Sequence, residues 1–339
     1  MRLLAVRCAD PEKAGRAARR HNRVVGFFKS IAGIFDRGRS PAKLAEWLGM
    51  NQADLENWSK GRPPEPIGRE YYYNRFAIPK KRGGVREIDA PSDALKSLQR
   101  RILHRLLNPL PARSEATGFV RGRSIVHNAQ PHTGMDVVIN IDLEDFFPSI
   151  SAERVRKSLV ACGWSQSSAD ILTHICTHEG RLPQGAPTSP ALSNLVTRLL
   201  DARLTGLVRR YDGHYTRYAD DLTFSFPAFG TRLDWKASTT AQTARARLLG
   251  MIQAIIEEEG FKIQRKKRVR IQRAHHCQTA TGLVVNSRVN LPREFRRKIR
   301  AAEHHDRLGK LNTEGKARLR GWQSWRAMVS RQAAGSGSF

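Results

Sequence analysis

Two consecutive acids set between two short segments of strand-like sequence constrain this chain more than any other stretch. His214-Tyr215-Thr216-Arg217-Tyr218 leads into Ala219-Asp220-Asp221, and Leu222-Thr223-Phe224-Ser225-Phe226 follows. Leu222, Phe224 and Phe226 alternate with Thr223 and Ser225, the period of a half-buried strand. The stretch therefore predicts a hairpin with the acids at its tip, where Asp tolerates unusual dihedrals. Two carboxylates about 4 Å apart repel by roughly 4 kcal/mol at an effective dielectric of 20. Either one takes up a proton or a cation sits between them. An ordinary surface turn is the plainer reading of an Asp-Asp pair, and a third acid argues against it. Asp136-Val137-Val138-Ile139-Asn140-Ile141 is a nearly continuous apolar run, the pattern of a central strand, and it ends in Asp142. Asp142 as a helix-initiating acid is the alternative. An acid where a buried strand emerges, in a chain that also carries Asp220-Asp221, points to a metal site.

Charge narrows the partners. The 339 residues carry a formal net charge of +28, which implies a polyanion, nucleic acid by default. The excess is concentrated: seven of the twelve residues from Lys262 to Arg273 are basic and none is acidic, and Arg293 to Arg331 holds twelve basic residues against four acidic ones. A solvated helix face mixes signs, so these stretches read as phosphate-contacting surfaces. No apolar run approaches the roughly 18 residues of a membrane span, and Met1–Val6 is too short for a signal peptide. Cys8, Cys162, Cys176 and Cys277 show no paired spacing, which fits a reducing cytoplasm.

Taken in order, residues 1 to about 40 predict a basic helical arm. Ser40-Pro41 reads as N-cap and first residue of a helix carrying Leu44, Trp47 and Leu48. A short helix near Ala53–Trp58 follows, then a Gly/Pro linker from Gly61 to Gly68. Tyr72 to Pro91 predicts two strands joined through Gly83-Gly84, with Lys80, Lys81 and Arg86 suited to gripping a triphosphate. A helix from about Ser92 to Leu107 comes next. Another begins near Ser151, beyond Phe146-Phe147-Pro148-Ser149-Ile150. The loop Arg181 to Pro190 leads, with Ser189 as cap, into one long helix whose stripe is Leu192, Leu195, Val196, Leu199, Leu200, Leu204, Leu207 and Val208. Gln184 in that loop is a candidate for lining the site where a nucleotide meets its template. A helix over about Ser238–Glu259 and two or three basic helices from Arg293 to Ser330 complete the ordered part. Trp322 and Trp325 read as packing residues. His174 and His178, at i,i+4 around Cys176, could bind zinc from one helical face, yet neither this group nor His275-His276-Cys277 has CxxC-type spacing, and both lie in stretches explained otherwise. The tail from Ala333 is rich in Gly and Ser.

With these segments in order, the chain resembles a bacterial reverse transcriptase of the retron type. The motifs are Ile78-Pro79-Lys80-Lys81 with Arg86 and Pro91, Gly118-Phe119 with Gly122 and Ser124, and Asp142 with Phe146-Phe147-Pro148-Ser149-Ile150. They continue with Gln184-Gly185-Ala186-Pro187-Thr188-Ser189-Pro190 and Tyr218-Ala219-Asp220-Asp221. The retron type is carried by Asn128-Ala129-Gln130-Pro131-His132 and by Ala280-Thr281-Gly282, whose first residue departs from the usual Val-Thr-Gly. Gln264 and Lys267-Arg268 also depart from the usual pattern.

The resemblance implies an α+β right-hand polymerase fold. It divides into a basic helical extension (1–70), fingers and an antiparallel-sheet palm (71–287), a helical thumb (288–330) and a tail (331–339). It implies that Asp142, Asp220 and Asp221 hold two Mg²⁺ ions, for which Mn²⁺ can substitute. Phe147 would select deoxynucleotides, Lys80 and Arg86 would contact the triphosphate, and Gln184 the nucleotide. Asn128, His132, Lys267, Thr281, Gly282, Arg296, Arg297 and Arg300 would serve RNA binding. The implied activity copies part of a cognate structured non-coding RNA into single-stranded DNA, primed from a guanosine 2′-hydroxyl, within an anti-phage defence system that includes a separate effector or toxin. Few residues follow the thumb-like segment, so RNA removal is expected to fall to a host RNase H. Alternatives are another bacterial lineage, group II intron-like or phage-exclusion, and an RNA-binding scaffold with a vestigial site.

Overall fold

The computed structural model describes residues 40–60, 72–80, 83–227, 238–264 and 269–335, with side chains from 245 onward in the helix that starts at 238. The basic arm, the Gly/Pro linker, Lys81, Lys267 and the end of the tail lie outside the described residues. The elements run α1 (Pro41–Leu48), α2 (Gln52–Ser59), β1 (Tyr73–Pro79), β2 (Val85–Pro91), α3 (Asp93–Ile102), α4 (Ile125–Ala129), β3 (Val137–Asp142), α5 (Ala152–Ala161), α6 (Gln166–Cys176) and α7 (Ser189–Val196). They continue with α8 (Arg198–Val208), β4 (His214–Tyr218), β5 (Asp221–Phe226), α9 (Ser238–Glu258), β6 (Arg270–Arg273), β7 (Thr279–Ala280), β8 (Leu283–Val284), α10 (Arg293–Arg307) and α11 (Thr313–Ala334). Two compact units result: residues 1–111 with 150–196, and 112–149 with 197–339.

In the first unit, α1 starts as its sequence requires. Ser40 Oγ accepts from the Lys43 N–H, Pro41 takes the first turn, and Gly49 closes the helix at φ 67°. Its last carbonyls are met from a neighbour: Arg101 donates to Leu48 O at 3.2 Å and Arg105 to Trp47 O at 2.7 Å. Leu44, Leu48, Leu55, Leu95, Leu98 and Ile102 form the buried interior. β1 and β2 pair antiparallel from Tyr73↔Pro91 to Pro79↔Val85. The 183–188 loop docks on β2: the Asp89 N–H donates to Gln184 O at 2.9 Å, and a Cβ on Gly185 would lie 2.8 Å from Asp89 O.

The second unit is built on a four-stranded antiparallel sheet in the order β4-β5-β3-β6. Val137, Val138, Ile139 and Ile141 of β3 are buried, as a central strand demands. β5 departs from expectation. Thr223 and Ser225, expected on an open face, are fully buried like Phe224 and Phe226. Their hydroxyls are met inside the unit: Thr223 accepts from Asn140 Nδ2 at 3.3 Å and Ser225 faces His132 Nδ1 at 2.7 Å. α4, β3, β7, β8, α10 and α11 share one core containing Val126, Val138, Leu283, Leu291, Ile299 and Leu319. Phe295 packs edge-on against Trp322 and Trp325, with centroids 5.5 and 4.7 Å away, so both tryptophans are packing residues.

The long helix expected from Ser189 to Val208 is two helices. Thr197 (φ −83°, ψ 3°) interrupts it, and in the second helix Leu199 is 38% exposed while Asp201 is fully buried. Ser189 is already helical, and its hydroxyl donates to Pro183 O at 2.7 Å, bracing the loop instead of capping the helix.

Candidate active site

Strand register brings the acids together. In the β3–β5 pair, Asp142 stands directly opposite Asp221. Tyr218 pairs with Asp221 across β4–β5, which leaves Ala219-Asp220 as a two-residue turn. The Leu143 N–H donates to Asp220 O at 3.0 Å, tying the turn to the end of β3, and Asp142 O accepts from the Gln264 N–H at 2.9 Å. Directly opposed residues in an antiparallel pair have Cβ atoms about 4.5–5.5 Å apart. Like charges at about 5 Å repel by roughly 3 kcal/mol at an effective dielectric of 20. Asp142, Asp220 and Asp221 are all half-exposed. Three carboxylates at one end of a sheet, open to solvent, are the hard oxygen donors a divalent cation such as Mg²⁺ takes. Among the described residues, no three His, Cys, Asp or Glu side chains are gathered into a ready-made cage. The convergence is one of backbone register, and the residues present fit the cation by donor chemistry.

The turn is strained and closely backed. Ala219 has φ 58°, at the first position of a two-residue hairpin loop, where a positive φ normally calls for Gly. Phe119 (φ 62°) and Asp145 (φ 42°) are left-handed as well, and such residues cost about 1–3 kcal/mol each and persist where their surroundings impose them. Gly118 sits against the turn: a Cβ there would lie 2.7 Å from Ala219 N. Phe119, 45% exposed, has its ring 5.9 Å from that of half-exposed Phe147 and 6.5 Å from that of Tyr218. Phe147 therefore belongs to an aromatic surface joined through Phe119 to the acidic turn.

The remaining candidates fall in different settings. Lys80 and Arg86 are exposed on the β1–β2 hairpin of the first unit, which also carries half-buried Gln184. Arg296, Arg297 and Arg300 are exposed on α10, while Ile299 between them faces the core. Thr281 and Gly282 form the two-residue loop between β7 and β8, with φ 46° and 80°. Asn128 and His132 are both fully buried and make their polar contacts inside the unit. Asn128 Oδ1 accepts from Thr117 Oγ at 2.7 Å, and Asn128 Nδ2 donates to Thr281 Oγ at 3.5 Å. His132 bridges Ser225 Oγ and Thr216 Oγ, each at 2.7 Å. Thr216 uses its proton on Asn128 O, so Nε2–H of His132 donates to Thr216 and Nδ1 accepts from Ser225. Burial, with a smaller contribution from His214, pushes the His132 pKa down to about 3, so the ring is neutral. Cys176 is buried too, and burial pushes its thiol up to about 12, which suits a core residue and not a metal ligand.

Sequence reasoning does not single out Gly118, which backs the turn, nor the buried ion pair of Arg217 with Asp201. Asp201 left one trace, an acid on the otherwise apolar stripe of Leu200, Leu204, Leu207 and Val208.

Residues 78–283 match the family described as reverse transcriptase (RNA-dependent DNA polymerase), a family that uses divalent metal ions such as Mg²⁺. Curated relatives agree. The Retron Mx65 reverse transcriptase of Myxococcus xanthus is 40% identical over 87% of this chain and 70% of its own length. The Retron Mx162 reverse transcriptase of the same organism is 36% identical over 82% of this chain and 61% of its own length. The Retron Ec86 reverse transcriptase of Escherichia coli is 38% identical over 76% of each. The chain thus belongs to the reverse transcriptases, RNA-directed DNA polymerases with a polymerase fold, and within them to the retron type. Among the described residues, no helix is long and apolar enough to cross a membrane.

Proposed function

We propose that this enzyme copies part of a cognate structured non-coding RNA into single-stranded DNA that stays joined to that RNA, priming from a guanosine 2′-hydroxyl. The observation that carries the catalytic part of this reading is the register of Asp142 against Asp221, with Asp220 tied alongside by Leu143. Those three carboxylates would hold two Mg²⁺ ions, which when bound activate the attacking hydroxyl and stabilise the leaving pyrophosphate. Asp142, Asp220 and Asp221 also orient the phosphates by fixing where positive charge can sit. Phe147 packs beneath the sugar and excludes a 2′-hydroxyl. Lys80 and Arg86 hold the triphosphate, and Gln184 contacts the nucleotide. Arg296, Arg297, Arg300, Lys267 and the Thr281-Gly282 loop grip RNA. Asn128 and His132 act indirectly, through the loop and strands they brace. The domain reading follows: the antiparallel sheet is the palm, the β1–β2 hairpin belongs to the fingers, and α10–α11 form the thumb.

A cytoplasmic anti-phage system, with a separate effector and a host RNase H to remove template, is the setting this reading proposes. Sequencing the nucleic acid that co-purifies with the protein tests it. A short DNA joined to one specific RNA is expected, whereas template-independent DNA or an intron-type RNA would favour another lineage. Replacing Asp220 and Asp221 with Ala should abolish DNA synthesis and leave RNA bound. Persistent synthesis would refute the assignment of the acids.

A further inference from the structure

Beneath the acidic turn lies an ion pair that none of these roles uses. Arg217 on β4 and Asp201 on α8 are both 0% exposed. Arg217 Nε donates to Asp201 Oδ1 and Nη2 to Oδ2, each at 2.8 Å, a planar two-point fork. Asp201 Oδ1 also accepts from Tyr215 Oη at 2.8 Å. The third nitrogen, Nη1, donates at 3.3 Å to the carbonyl of Ala219, the left-handed residue of the turn. The guanidinium carbon lies 6.0 Å from the centroid of Phe146, whose ring is 5.4 Å from that of Phe147. On the backbone side, the Arg217 N–H donates to Glu115 O and its carbonyl accepts from the Thr117 N–H, both at 2.8 Å.

A fully buried ion pair is weak support for a fold, since both groups lose their hydration and a well-packed apolar pair commonly stabilises as well. Nor does this pair lend its field to the acids, because Asp201 cancels the charge of Arg217. Geometry remains. A guanidinium with one edge on a carboxylate leaves its other nitrogen aimed in a single direction, here at the carbonyl just before Asp220. We propose that Arg217 is a positioning residue: anchored by Asp201, it holds the Ala219–Asp220 peptide in its turn and so sets the direction in which Asp220 is presented. The inference rests on the reading of Asp142, Asp220 and Asp221 as the cation-holding acids.

Arg217→Lys tests it, since an ammonium keeps the charge and can pair with Asp201 but cannot span Asp201 and Ala219 O in one plane. Leu204→Ala is the comparison: it opens a cavity on the same helix at a fully buried position and removes none of the polar groups of the pair. Asp220→Asn is run beside them. Melting temperature, template–primer binding, kcat and KM for nucleotide, and Mn²⁺ affinity by electron paramagnetic resonance are read for each. Arg217→Lys is expected to lose kcat by roughly 100-fold, the scale of an ångström-sized misplacement. Its Mn²⁺ binding should weaken while KM and template–primer binding hold. Leu204→Ala should melt lower yet keep its kcat per folded molecule. If Arg217→Lys does not fold, Tyr215→Phe, which removes only a hydroxyl anchoring Asp201, should show the same pattern in smaller degree. Wild-type kcat and Mn²⁺ affinity in the variant that folds, or losses that Leu204→Ala reproduces, would overturn the positioning role. Full activity in Asp220→Asn would instead overturn the reading of the acids, so the two failures are distinguishable.

Discussion

Gly118→Ala is the smallest change that should move the acids without altering any of them. The added Cβ would meet Ala219 N at 2.7 Å, Tyr218 C at 3.1 Å and Tyr218 Cα at 3.2 Å. All three are backbone atoms, so no flexible side chain can step aside. Restoring ordinary contact, which begins at 3.4 Å, requires the turn to retreat by about 0.7 Å. Overpacking of this kind costs about 1–3 kcal/mol, and the stiffer unfolded chain returns about 0.4–1 kcal/mol, so the protein should still fold. Chemistry is less forgiving, because misplacement by about 1 Å costs about 100-fold. A retreat somewhat smaller than that predicts a 10- to 100-fold fall in kcat, or about 1.4–2.7 kcal/mol of transition-state stabilisation. The assay is single-nucleotide extension at saturating nucleotide, normalised to folded protein by melting. Gly134→Ala is the control: its φ of 72° strains any other residue, but nothing lies within 4 Å of the new Cβ. A kcat for Gly118→Ala within twofold of wild type, or an equal loss in the control, would refute the reasoning.

Phe147→Ala should admit ribonucleotides, since its half-exposed ring is the proposed barrier to a 2′-hydroxyl; unchanged sugar discrimination in competition assays would remove that role. His132 makes stability depend on pH. Its pKa falls from an ordinary 6.5 to about 3 on folding, so between those values the unfolded chain binds the extra proton. The contribution is complete above about pH 6.5 and is lost as pH drops toward 3, by up to about 1.4 kcal/mol per pH unit. Urea midpoints at pH 7.5 and 5.5 should fall less in His132→Gln than in wild type, and parallel behaviour would contradict the sign. RNA affinity should drop steeply with salt, each single-strand phosphate contact adding about 0.7 to the log–log slope; a flat response would count against an electrostatic grip.

Much of the site was legible because its signals are local. A strand followed by an acid, and an Asp-Asp pair between two strand-like segments, are properties of a few adjacent residues. They place Asp142 and Asp221 at strand ends and Asp220 in the turn between two strands. Charge is likewise local, and so Arg296, Arg297 and Arg300 stand exposed on their helix. The half-buried reading of Thr223 and Ser225 failed because alternation records polarity, not exposure. A hydroxyl can be buried once a partner such as His132 or Asn140 arrives from elsewhere in the chain. Asn128 and His132 are buried on the same principle, each with a partner distant in the sequence.

The sequence by itself determined which residues carry charge, most of the strand and helix segments, and which short motifs are candidates for the chemistry, since all of these follow from neighbours along the chain. Only the tertiary structure decided register and burial: that Asp142 faces Asp221, that Gly118 leaves no room beside Ala219, and that an acid on an apolar stripe meets Arg217 in the interior. Those outcomes depend on partners far apart in the sequence, and a one-residue slip would turn every side chain of a strand to the opposite face.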